Sequence, residues 1–240
     1  MKIKKRLDLF LKEKYSNFSK IKIQNFIKEG KIKVNNKIIL KPGFLVSELD
    51  FIESNLENPK YVSRAGYKLE YALNYFNIDV HNKIALDAGI STGGFTDCLI
   101  QYGIKKVYGI DVGINQLHSN LKNNSKIKLF ENTNLRYFDF NLIKDTIDIV
   151  TLDLSFISVL KVINIVYNII KESGELLILV KPQFEFLQLP KDNKVIYQKI
   201  KDIILPEIEK SGFKLLGFIE SNIEIKNNKE FFAYFKKLCL

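Results

Sequence analysis

Ile84-Ala85-Leu86-Asp87-Ala88-Gly89-Ile90-Ser91-Thr92-Gly93-Gly94-Phe95-Thr96-Asp97 reads as three pieces in succession. Apolar residues ending in Asp87 predict a short buried strand. A loop of Gly, Ser and Thr follows, and the spacing predicts a helix from Phe95 to Tyr102. Strand, glycine loop and helix form the first unit of a doubly wound sheet, whose ligand lies at the carboxyl edge of the strands. Glycine serves there because a Cβ obstructs backbone approach or a left-handed turn. A second strand, Lys106 to Ile110, ends in Asp111, about where such folds set an acid against ribose hydroxyls.

Gly89, Gly93 and Gly94 do not fit G-x-G-x-x-G, and no Lys-Ser or Lys-Thr follows to make a phosphate loop. Asp87 at the strand end is unsuited to phosphate. It suits a ligand carrying hydroxyls and positive charge, such as S-adenosylmethionine. An ordinary tight strand-to-helix turn gives a similar loop, but Asp111 in register favours a nucleoside site.

Working outward, strands are expected at Ile127–Glu131, Asp148–Asp153 and Leu176–Lys181, and helices at Ile157–Lys171 and Ile200–Lys210. Phe213–Ile219 and Phe231–Phe235 should close the sheet as an antiparallel hairpin. Alternating strands and helices imply α/β architecture: a doubly wound, mostly parallel sheet with helices on both faces. Ser63 should cap a helix running to about Phe76, with Ala65, Leu69, Ala72, Leu73 and Phe76 inward. Tyr67, Tyr71 and Tyr75 on its flank read as packing rather than base platforms.

Charge separates the amino-terminal part from this sheet. The 240 residues carry a net charge of +10, and residues 1–53 hold 13 Lys and Arg against 6 Asp and Glu. A basic balance suits a polyanionic partner, although a lysine-biased genome gives high total charge too. Leu7 to Leu11 predict one short helix, and Ser19 caps a second with Ile23, Phe26 and Ile27 inward. Gly30 ends that helix, and Asn35-Asn36 turns a hairpin. The composition, 46% hydrophobic and 27% charged, excludes disordered and membrane classes. The start lacks a signal-peptide pattern, and the longest aliphatic run, Leu176–Val180, is far below a membrane span. Cys98 and Cys239 make neither a disulfide framework nor a metal pair, and His81 and His118 stand isolated. A reduced, cytoplasmic protein without metal or membrane insertion is expected.

At the other strand ends, Leu152-Asp153-Leu154-Ser155-Phe156 sets a carboxylate and Val180-Lys181-Pro182-Gln183-Phe184-Glu185 sets an amine. An ammonium at a buried strand end needs a partner, and Asp153 on the neighbouring strand is the expected one. A rim ion pair of purely structural role would look the same in sequence.

R-L-D-x-x-L from Arg6, then E-G-K-I-K-V-N-N-K and K-P-G, resembles the small RNA-binding domain named after ribosomal protein S-four. That resemblance implies an α+β unit holding structured RNA through phosphates, with Arg6, Lys20, Lys22, Lys28, Lys31, Lys33 and Lys37 as its basic face. S-R-A-G-Y-K-L, L-D-A-G-I-S-T-G-G-F-T-D-C-L, V-Y-G-I-D-V-G, D-L-S-F-I-S and V-K-P-Q-F-E follow in order. Together they resemble the hemolysin A (TlyA) family of rRNA ribose 2'-O-methyltransferases, with an FtsJ-like catalytic domain. The implied domains are residues 1–55, a linker at 56–62, and a Rossmann-like methyltransferase sheet at 63–240. The resemblance implies a Lys-Asp-Lys-Glu tetrad on Lys68, Asp153, Lys181 and Glu230, with Lys181 orienting or deprotonating the hydroxyl. It implies S-adenosylmethionine contacts from Asp87, Gly89, Ser91, Thr92, Gly93, Gly94, Asp111 and Asn134, and ribosomal RNA or subunits, with a cytidine as target. Phe186–Lys194 and Ile223–Asn228 depart from the family pattern. The competing readings are an inactive RNA-binding protein, a small-molecule methyltransferase and a membrane-active hemolysin.

Overall fold

A computed structural model describes residues 4–16, 18–54, 56, 59–223 and 229–239. The chain divides into two compact units, residues 1–59 and residues 60–240. Residue 55 of the expected first domain, residues 57 and 58 of the expected linker, and 224–228 of the loop before Glu230 lie outside the described residues.

Unit 1 holds helices α1 (Leu7–Lys14) and α2 (Lys20–Lys28). Its strands are β1 (Lys5–Arg6), β2 (Ile32–Val34), β3 (Lys37–Ile38), β4 (Leu45–Val46) and β5 (Ile52–Ser54). Ser19 caps α2 as expected, its Oγ accepting from Lys22 N at 3.2 Å. Asn35 and Asn36 both have positive φ, 51° and 64°, the geometry a two-residue hairpin turn requires. Leu7, Leu11, Ile23, Phe26, Ile27 and Ile32 make its small core.

Unit 2 begins with α3 (Arg64–Phe76), followed by β6 (Ile84–Ala88), α4 (Gly94–Gln101), β7 (Lys106–Ile110), β8 (Ile127–Phe130) and β9 (Ile147–Leu152). Then come α5 (Ile163–Ile169), β10 (Ile170–Val180), α6 (Pro182–Glu185), α7 (Asn193–Lys199), α8 (Leu205–Lys210), β11 (Phe213–Glu220) and β12 (Phe231–Lys237). The seven strands stand in the order β11-β12-β10-β9-β6-β7-β8. Strands β6 to β10 pair in parallel, and β12 runs antiparallel to both β10 and β11. Leu176–Val180 are all buried, with alternate side chains entering cores on opposite faces. Helices α3 and α4 cover one face, and α5, α7 and α8 the other.

The expected helix from 157 to 171 is shorter. A 3-10 turn at Val159–Lys161 precedes α5, which covers only Ile163–Ile169. β10 starts six residues earlier than expected: its pairing with β9 resumes at Ile170 across a register shift that contains Ser173 at φ +57°. The expected helix at 200–210 starts at Asn193, and one π turn, Ile200–Ile204, joins α7 to α8. Ser63 occupies the cap position of α3 but makes no capping bond; its hydroxyl is buried without a hydrogen-bond partner. Among the described residues no helix is long and apolar enough to cross a membrane.

Candidate active site

The strand connections reverse direction between β6 and β9, and there the carboxyl edge opens into a cleft of about 560 Å³. That volume suits a ligand of nucleoside-conjugate size. Gly89, Ser91, Asp111, Asn134 and Asp153 line it, together with the apolar Ile110, Val112 and Leu135. Gly89 sits at φ +85°, and a Cβ there would meet the Asp153 carbonyl oxygen at 2.4 Å. Only glycine lets β6 turn this close to the end of β9. Asp111 Oδ2 accepts from Ser91 N at 2.8 Å and Oδ1 from Gly113 N at 2.7 Å. This carboxylate is thereby fixed in the cleft with lone pairs left to accept hydroxyls. Asn134 Oδ1 accepts from Arg136 N at 3.1 Å at the start of a 3-10 turn.

Four of the residues expected to contact the donor, Asp87, Thr92, Gly93 and Gly94, are not among those lining this cleft. Asp87 is fully buried beneath the cleft floor, and its two oxygens accept from Thr96 Oγ1 at 2.6 Å and Thr151 Oγ1 at 2.9 Å. It is a strut joining the glycine loop to β9. Gly93, at φ +88°, packs against Leu117 and Leu121, and Gly94 packs against Ser63 and Ala65, so both serve helix packing. Thr92 is exposed off the cleft, where its carbonyl accepts from His118 N. Residues absent from the expected set also line the cleft, including Gln116, which accepts from Ser91 Oγ at 3.1 Å, Arg136, Ser155 and Phe156. Ser155 and Phe156 stood inside a recognised motif; Gln116 and Arg136 carried no sequence signal.

Burial pushes the Asp87 carboxyl up to about 6, against the two threonine hydroxyls that favour its ionised form. An acid with a raised folded value stabilises the fold most below its unfolded value. That contribution is lost as pH rises through the window from 3.8 to about 6. Asp87→Asn keeps a partner for both hydroxyls and removes the buried charge. At pH 7 it should raise stability by on the order of 2 kcal/mol. The gain should vanish near pH 4, which paired thermal melts across pH would check.

Beside the cleft, four strand ends line up. Val180 pairs with Phe231, so Lys181 and Glu230 stand side by side on neighbouring strands, about 5 Å apart in backbone spacing. Ile178 pairs with Leu152, and Asp153 N donates to Ala88 O at 3.1 Å. The rim therefore runs Glu230, Lys181, Asp153, Gly89. Lys181 Nζ lies 2.6 Å from Asp153 Oδ1 and donates to Ser155 Oγ at 3.0 Å. The Asp153 contact is an ion pair without hydrogen-bond alignment, which leaves Oδ1 with no hydrogen-bond partner. Lys68, from α3, pairs with Glu230 Oε2 at 2.5 Å, and both are buried. The loop after β9 carries Phe156 at φ +64°, the residue 91% exposed. A bulky residue held there costs on the order of 1–3 kcal/mol, strain that gathers at functional sites. Among the described residues no cluster of His, Cys, Asp and Glu could hold a metal ion.

In unit 1, Arg6 Nε and Nη2 donate to Asp8 at 3.0 and 2.9 Å, and Gln24 donates to the same carboxylate. The Arg6 fork thus anchors α1 and holds the Asp8 carboxyl down at about 2. Lys31 pairs with Glu29 at 3.1 Å and Lys33 with Glu53 at 3.4 Å. Lys22 lies over the Phe18 ring, and Lys20, Lys28 and Lys37 are exposed.

A reversed sheet with one antiparallel strand near its edge, and a cleft at the switch point bearing an acid for hydroxyls, defines an S-adenosylmethionine-dependent methyltransferase of Rossmann-like fold. Residues 61–238 match the FtsJ-like methyltransferase model and residues 5–52 the S4 domain. The chain belongs to the FtsJ-like methyltransferase family. It is 36% identical over 239 residues to Hemolysin A of Brachyspira hyodysenteriae, covering 96% of this chain and 99% of that protein. It is 35% identical over 196 residues to the 23S rRNA (cytidine-2'-O)-methyltransferase TlyA of Campylobacter jejuni, covering 78% of this chain and 76% of that one. The solved structure of a hemolysin from Streptococcus thermophilus matches with a TM-score of 0.75 at 31% identity, covering 99% and 90% of the two chains.

Proposed function

We propose that this enzyme transfers a methyl group from S-adenosylmethionine to a ribose 2'-hydroxyl of ribosomal RNA, at a cytidine, in the cytoplasm. The observation that carries the reading is the pair of Lys–carboxylate contacts on adjacent strand ends beside the cleft. The name of the relative in Campylobacter, a 23S rRNA (cytidine-2'-O)-methyltransferase, supports it.

The cleft fits the donor: Asp111 offers acceptors to ribose hydroxyls, Ile110, Val112 and Leu135 an apolar wall to the base, and Asp153 negative charge toward the sulfonium. When bound, S-adenosylmethionine supplies a methyl already activated for transfer. The protein then has to place a weak nucleophile in line with it and accept its proton, and alignment alone can supply on the order of 7–11 kcal/mol. Lys181 is the group that holds the 2'-oxygen and takes its proton as the O–methyl bond forms and the methyl–sulfur bond breaks, with Asp153 and Ser155 fixing its amine. Glu230 fixes Lys68 beside it, so positive charge faces the substrate's backbone while acids balance it. Residues 1–55 dock the RNA, residues 56–62 link, and residues 63–240 catalyse.

Transfer of labelled methyl to isolated ribosomal subunits, followed by mapping of the modified ribose, tests this directly; label on a base or none at all would sink it. For the docking unit, reversing Lys20, Lys28 and Lys37 to Glu should weaken RNA binding. It should also flatten the plot of log affinity against log salt by a slope of about 3, near 0.9 for each lost phosphate contact. Binding isotherms at several salt concentrations read this out.

A further inference from the structure

We infer that Glu185 is a positioning residue for methyl transfer, clamping the loop Leu154–Ser158 so that Ser155 keeps the Lys181 amine aimed. This deepens the proposed reading and rests on it. Two strand-end segments meet at the rim: the loop after β9, and the segment from Lys181 through α6 after β10. They are joined at three places. At the near end Lys181 Nζ reaches Asp153 and Ser155. In the middle the rings of Phe156 and Phe184 lie 5.1 Å apart. At the far end Ser158 Oγ donates to Glu185 Oε2 at 2.5 Å and Val159 N to Oε1 at 3.1 Å.

The loop needs such a clamp. Phe156 is in the left-handed region and almost wholly in solvent, so neither backbone preference nor burial holds it there. Leu154 and Ile157 are only partly buried against the core. Asp153, just before the loop, is tied to β6 through its N–H and Ala88 O. The loop's other end is tied by the Glu185 carboxylate, which takes both the Ser158 hydroxyl and a free amide at the start of the Val159–Lys161 turn. Glu185 is half-buried, and its carboxylate is accounted for by Ser158 and Val159 without any donor or substrate contact. It is absent from the cleft lining. Ser155 hangs between the two anchors, and Lys181 is aimed by Ser155. Loosening one anchor therefore misplaces the amine, and a displacement of about 1 Å in such a group costs up to about a hundredfold in rate.

The test compares the full-length wild type with Glu185→Ala and Glu185→Gln. With donor and ribosomal subunits saturating, Glu185→Ala should lower kcat about 10- to 100-fold with KM for RNA little changed. Glu185→Gln should recover most of it, since the amide oxygen accepts from Val159 N–H and the amide nitrogen donates to Ser158 Oγ. Hydrogen exchange of the full chain should show the amides of residues 155–159 less protected in Glu185→Ala, with β6 and β9 unchanged. A wild-type kcat in Glu185→Ala, unchanged exchange in the loop, or faster exchange across the whole sheet would each overturn the inference. A wild type that labels no RNA would instead defeat the functional reading, and the exchange comparison would still decide the clamp.

Discussion

Lys181→Ala should lower methyl transfer at least about a thousandfold, roughly 4 kcal/mol of barrier, while donor affinity stays within a factor of about three. The two readouts separate because of where Lys181 stands. It is at the end of β10, one strand away from the donor cleft, and is absent from the cleft lining. Its amine is oriented by Asp153 and Ser155, which do line the cleft, so it is placed to face a nucleophile brought up to the donor. Lys181→Arg should not rescue. A guanidinium is planar, permanently charged and forked, and it cannot reproduce a compact amine within reach of two oxygens. Calorimetry with S-adenosylmethionine and single-turnover transfer would check both halves. Turnover in Lys181→Ala within tenfold of wild type would remove this amine from the chemistry.

Most of the sheet could be read from the chain because a strand buried on both faces must be apolar throughout. Leu176–Val180 and Ile84–Leu86 are such runs, ended by Lys181 and Asp87. The convergence of Asp153 and Lys181 followed from the same rule, since polar residues at successive strand ends share one edge. What escaped was geometry that pattern does not encode. Asp87 looks like Asp111 in sequence, each an acid at a strand end. What tells them apart is Thr151, which comes from a different strand, and only the folded sheet sets it against Asp87. Gln116 and Arg136 enter the cleft from loops whose path no periodicity fixes. Over its first residues the helix expected at 157–171 gave way to the turn Val159–Lys161, where Val159 N donates to Glu185 from the next strand end, a long-range contact that local periodicity does not encode.

Removing one member of the Lys68–Glu230 pair should damage stability and activity together, and removing both should separate them. Both side chains are buried, so Lys68→Met leaves a carboxylate inside the protein without its cation. Breaking a buried pair in this way costs about 3–5 kcal/mol, a fall of roughly 6–20 °C in Tm for a unit of this size. Lys68→Met with Glu230→Leu replaces two charges by apolar groups of similar volume, and such swaps are often neutral or stabilising. The double variant should therefore melt near the wild-type temperature. If the pair is only a strut between α3 and β12, transfer should return with stability. If Lys68 presents charge to the substrate beside Lys181, transfer should stay down by at least about a hundredfold in the refolded double variant, about 2.7 kcal/mol of barrier. Melting and single-turnover rates on the same four proteins complete the cycle. Its coupling energy in stability should be large, while in rate each single substitution should already cost nearly the whole effect, as expected for groups acting as a unit.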